Sequence, residues 1–172
     1  MTATKVDCSC WWEPADAPRP AGRPTPRISV VICTRNRPAS LLSCVDTVLG
    51  QTALPCELIV VDDGELPRED RDTLSQRCAT AGLPLVYLRK EVPGLPASRN
   101  LAVRHASGDI IQFLDDDVEL EPDFCRQILR LYLLDTFGSL AGVGGTLRDA
   151  KPSTTARAFG LLYRLAGFWA LK

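Results

Sequence analysis

Four short apolar runs rich in β-branched residues, each followed by a helical pattern, constrain this chain more than any other feature of it. The runs are ISVVIC (28–33), ELIVV (57–61), LPLVYL (83–88) and DIIQFL (109–114). A strand with one wet face alternates apolar and polar side chains, so runs apolar at nearly every position belong to strands covered on both faces. Helical spacing of apolar residues marks the segments that follow: PASLLSCVDTVLGQ (38–51), PREDRDTLSQRCATAG (67–82), PASRNLAVRHASG (96–108) and PDFCRQILRLYLLDTF (122–137). Pro38 suits a first helical turn and Gly82 a helix end. This alternation predicts an α/β fold, a mostly parallel sheet flanked by helices on both faces. A shorter last strand is expected around LAGVGG (140–145).

Ligands of open α/β sheets bind outside the carboxyl ends of the strands. The unusual polar residues fall there repeatedly. TRNR (34–37) follows the first run, DDG (62–64) the second, RKEVPGLPASRN (89–100) the third and DDD (115–117) the fourth. Taken singly, each has an ordinary explanation: Asp and Gly open turns, and arginines are solvated surface charges. In a parallel sheet, however, all of these strand ends share one edge, and together they point to a ligand crevice.

Asp115, Asp116 and Asp117 repel one another unless positive charge sits among them. In an extended segment Asp115 and Asp117 point one way and Asp116 the other. Such a pair suits a hard divalent cation, Mn²⁺ or Mg²⁺, which takes one or two carboxylates and completes its shell with phosphate oxygens. The expectation is a metal that arrives with a phosphorylated ligand, with arginines of the neighbouring loops adding charge-assisted contacts to it.

Several phosphate-binding and hydrolytic signatures are absent. CTRNRP stands where a dinucleotide fingerprint needs glycines, and neither a P-loop nor a G-x-S-x-G elbow occurs. The single histidine, His105, lies in a helical pattern. A nucleotidyltransferase wants a glycine-rich basic loop after the first strand, and TRNRP has no glycine.

ISVVICTRNRPASLLSCVDTVLGQT, ELIVVDDG and GLPASRNLAVRHASGDIIQFLDDDVELEPDF, in this order, resemble the nucleotide-sugar-binding half of family 2 glycosyltransferases, over residues 28 to 147. The resemblance implies the GT-A fold, incomplete at its carboxyl end. It also implies inverting transfer of a sugar from a nucleotide-diphosphate donor to a hydroxyl of a saccharide, lipid-linked or other acceptor. By the same resemblance Thr34, Arg35 and Asn36 would line the nucleotide pocket, and Asp62 would accept from the base. Arg99 and Asn100 would lie near the ribose and diphosphate. Asp115 and Asp116 would approach the ribose and the metal-diphosphate, and Asp117 would ligate Mn²⁺ or Mg²⁺. Arg37 and Glu65 depart from the usual pattern. The family's general base is a later Asp or Glu; nothing after Gly145 matches it, Asp149 is not assigned to it, and it is expected beyond residue 172. The alternative is a truncated, non-catalytic nucleotide-sugar-binding module.

This divides the chain into a proline-rich flexible leader (1–26), a nucleotide-sugar-binding domain (27–150) and an apolar helix (151–172) that begins the acceptor half or touches a membrane. ARAFGLLYRLAGFWALK (156–172) is short for a span but suits peripheral contact. A net charge of −1 offers no basic field for a nucleic acid polymer. Seven cysteines, an odd number, mostly in apolar patterns, and no secretory signal fit a reduced, cytoplasmic protein, with 156–172 placing it at the inner face of the membrane. Cys8 and Cys10 have no partners at zinc spacing.

Overall fold

The structure, a computed structural model, describes residues 4–7, 24–135 and 138–147. Its centre is a parallel sheet of β2 (Ile28–Thr34), β3 (Glu57–Asp62), β4 (Leu85–Arg89) and β5 (Ile110–Asp115), in the order β4-β3-β2-β5. The helices that connect them are α1 (Pro38–Leu49), α2 (Arg68–Ala81) and α3 (Leu95–His105), and α4 (Phe124–Leu134) follows. Pro38 begins α1, and Gly82 closes α2 in the left-handed conformation (φ 69°), as the sequence predicts.

Both faces of the sheet are covered, and alternation along each strand decides which side chain goes where. Val30, Ile32, Leu58 and Val60 join Leu41 and Val45 of α1, Leu74 of α2 and Phe124 and Ile128 of α4 in one buried cluster. The intervening residues Val31, Ile59 and Val61 pack with Ala102 of α3. Gln51 ties α1 to α4: its amide nitrogen donates to the Glu121 carbonyl at 2.8 Å, and its oxygen accepts from Cys125 N at 2.9 Å.

Three small strands were not legible in the sequence as they occur. β6 (Val118–Leu120) pairs in parallel with β1 (Thr4–Asp7), and β1 pairs antiparallel with β7 (Thr146–Leu147). The strand expected at 140–145 is therefore corrected to β7; Gly142, Gly144 and Gly145 have no side chains to hold a pleated surface. Likewise Thr4–Asp7, inside the supposed leader, form a strand because β6 offers a backbone edge. Residues 8–23 and the apolar segment 156–172 lie outside the described residues. Among the described residues no helix is long and apolar enough to cross a membrane.

At the amino edge of the sheet, buried Glu57 accepts from Ser29 Oγ at 2.6 Å and from the N–H and hydroxyl of Ser107 at 2.6 and 2.9 Å. Burial pushes its carboxyl up, but these donors outweigh burial and hold it below its usual 4.5. A carboxylate with a lowered value contributes stability that is complete above that usual value and is lost as pH falls through the folded one. Glu57→Gln is expected to cost about 1.5–3 kcal/mol at neutral pH and to flatten the acid limb of the stability curve. Urea unfolding at neutral and acidic pH measures both effects.

Candidate functional site

The carboxyl edge of the sheet gathers the polar strand ends from three neighbouring strands and α3. Thr34 closes β2 and is buried, its hydroxyl donating to Asp116 Oδ2 at 2.7 Å. Arg37, in the loop before α1, donates from Nη1 to Asp116 Oδ1 at 3.2 Å and to Asp117 Oδ2 at 3.3 Å. Arg99, on α3, donates to Asp115 Oδ1 at 3.2 Å while its guanidinium lies 5.7 Å from the Phe113 ring centroid. Asn100 is exposed beside it on the same helix.

Within the chain itself Arg37 and Arg99 supply positive charge among the aspartates. One expectation is corrected: β5 ends at Asp115, and the turn at 116–117 sends Asp116 and Asp117 together to Arg37, in place of a simple strand alternation of the three. Asp115 stays on the face of α3, as strand alternation from Ile111 and Phe113 requires. Beneath them, Cys44 Sγ lies 3.6 Å from the Asp115 carbonyl, and burial together with the Asp116 charge pushes its thiol up to about 12, so it stays protonated.

Beside this cluster the β2 and β3 loops form a cleft of about 390 Å³, lined among others by Arg35, Asn36, Asp63, Gly64 and Lys90. Asn36 adopts a left-handed conformation (φ 55°), which asparagine tolerates better than most residues, and its Oδ1 accepts from Glu65 N at 3.0 Å. Gly64 is the residue that allows this approach: a Cβ there would stand 2.3 Å from Asn36 Oδ1.

Asp62 does not face the cleft. It is 1% exposed, and its oxygens take the N–H groups of Gly64 (2.9 Å) and Leu66 (2.8 Å) and the hydroxyl of Tyr87 (2.6 Å). The residue expected to accept from a base thus has its carboxylate engaged within the chain. Asp62 shares the inward face of Leu58 and Val60, and it fixes the loop that carries Gly64.

Asp63 and Lys90 are the residues that sequence reasoning missed. The Lys90 ammonium donates to Asp63 Oδ1 at 2.9 Å, Ser98 Oγ at 2.9 Å and the Gly94 carbonyl at 3.1 Å, and Gly94 N donates to Asp63 Oδ2 at 2.8 Å. Burial works against ionisation of Asp63, but Gly94 N–H and Lys90 hold its carboxyl below the usual value. The pair locks the start of α3, and hence Arg99, onto the end of β3.

Asp115 and Asp117 are exposed, and each uses one oxygen on an arginine. An exposed carboxylate of this kind is what a hard divalent cation takes when a ligand supplies the rest of its shell. Among the described residues no three His, Cys, Asp or Glu side chains are grouped to hold an ion by themselves.

A family model described as glycosyl transferase family 2 matches residues 29–159. EpsH of Bacillus subtilis is 30% identical over 106 residues, covering 62% of this chain and 30% of that protein. The glucosyl-dolichyl phosphate glucuronosyltransferase of Haloferax volcanii is 30% identical over 123 residues, 70% of this chain and 38% of that protein. The chain thus spans about a third of the length of these relatives. Among solved structures, S. aureus TarS 1-349 in complex with UDP superposes with a TM-score of 0.53 at 22% identity, covering 62% of this chain and 32% of that one. That likeness carries the fold.

Proposed function

The chain belongs to glycosyl transferase family 2, and from that premise we propose that residues 27–150 bind the nucleotide-diphosphate sugar of an inverting, divalent-metal-dependent glycosyltransferase. The observation that carries this reading is the convergence of Thr34–Arg37, Arg99 and Asp115–Asp117 on one edge of the sheet, from strands far apart in sequence. Arg35 and Asn36, on the cleft, sit where a nucleoside can lie; Arg99 and Asn100 face the diphosphate. Asp117 holds Mn²⁺ or Mg²⁺, with Asp115 and buried Asp116 beside it. A cation bound there supplies charge neutralisation to the diphosphate.

In the transfer, an acceptor hydroxyl oxygen bonds to the anomeric carbon from the face opposite the diphosphate. The bond from carbon to diphosphate oxygen breaks and leaves its electron pair on that oxygen, and a general base outside the described residues takes the hydroxyl proton. The acceptor is a saccharide or lipid-linked hydroxyl. The apolar, aromatic and basic sequence of 156–172 suits peripheral contact with a membrane, which would bring the enzyme to a lipid-linked acceptor.

Calorimetric titration with UDP, GDP and dTDP, with and without Mn²⁺, tests the reading. One nucleotide is expected to bind tightly only with the metal, and Asp117→Asn is expected to weaken that binding about 10- to 100-fold, at least the loss a supporting residue of a metal site produces. Unchanged metal-dependent binding in Asp117→Asn overturns the assignment.

A further inference from the structure

The guanidinium of Arg37 lies against both Asp116 and Asp117, and these two carboxylates differ in one respect that matters. Asp116 is 8% exposed in its side chain and anchored from the other side by Thr34, whereas Asp117 is 59% exposed. Arg37 itself is 55% exposed, and among the described residues no aromatic ring lies beneath it, unlike Arg99, which lies over Phe113. One contact is therefore fixed and the other is easily released.

We propose that Arg37 is a built-in counter-ion for Asp116 and Asp117, which yields Asp117 to an incoming divalent cation and keeps Asp116. Metal binding at this edge is then an exchange of cations rather than the filling of a bare carboxylate. Arg37 is a positioning residue: it keeps the aspartates from repelling one another before the donor arrives, and it sets how tightly metal alone is held. Weak affinity for the bare ion follows, and a diphosphate that brings its own charge for Arg37 restores the balance. The inference rests on the reading of Asp117 as a metal ligand.

The test is a titration of the nucleotide-free protein with Mn²⁺, followed by electron paramagnetic resonance of the free ion, on wild type, Arg37→Gln, Arg37→Lys and Asp117→Asn. Repulsion between a divalent ion and a guanidinium about 6 Å apart corresponds to roughly tenfold in affinity even in water. Arg37→Gln is expected to bind Mn²⁺ about tenfold more tightly, with Arg37→Lys close to wild type. A merely structural role for Arg37 would move affinity the other way. Arg37→Gln that binds no Mn²⁺, or binds it no more tightly than wild type while Asp117→Asn weakens it, overturns the counter-ion role alone. An unchanged affinity in Asp117→Asn overturns the ligand assignment beneath it.

Discussion

Lys90→Met is expected to destabilise the fold by about 3–5 kcal/mol, the usual cost of stranding one member of a buried ion pair. The side chains of Lys90 and Asp63 are 14% and 9% exposed, so water replaces little of what the ammonium gives up. The substitution also leaves the Gly94 carbonyl and Ser98 Oγ without that donor. Asp63→Asn in the same background should recover part of the loss, since a neutral amide no longer needs a counter-charge. A double-mutant cycle by urea unfolding measures the coupling. The pH dependence has a definite sign: the folded value of Asp63 lies below its usual 3.8, so its contribution is complete above that pH and disappears as pH falls through the folded value. Additive single and double substitutions would show that the pair contributes nothing jointly.

Asp62→Ala is expected to cost a similar amount, about 3–5 kcal/mol, because it orphans three donors at once: Gly64 N, Leu66 N and the Tyr87 hydroxyl. Burial, together with the hydrogen bond to Asp62 and its charge, pushes the Tyr87 phenol up, so Tyr87 stays a donor throughout the working range. The measurement is again a denaturation midpoint, paired with nucleotide binding by the folded protein. A midpoint that stays put while nucleotide affinity falls would return Asp62 to the role of reading a base.

The two aspartates of DDG show where sequence reasoning succeeds and where it stops. Spacing placed both at the carboxyl end of the second strand of the central sheet, correctly, because β-branched runs of strand length between helical patterns leave little freedom in an α/β layer. It did not say which way each side chain turns once the strand ends, and Asp62 follows the inward face while Asp63 meets Lys90. Lys90 carries no distinguishing signal within RKEVPG; only the fold of the loop closes it over Asp63. The aspartates at 115–117 were legible as a cluster that shares an edge with TRNR, but the pairing was not, since strand order alone does not say which arginine meets Asp116 across 79 positions. β6 escaped notice because three residues are too few to display a period, and β1 because its partners lie so far along the chain.

That separation has a kinetic consequence. Thr34 and Asp116 meet across 82 positions, and β2 pairs with β5 only after three helices and two strands have crossed over between them. Loops of this length are slow to close, and parallel pairing gives nothing back until they do. The contacts of Thr34 and Arg37 with Asp116 therefore belong to the last stages of assembly. A chain still in synthesis, or one trapped with β5 undocked, can hold most of its helices and yet have no site at all.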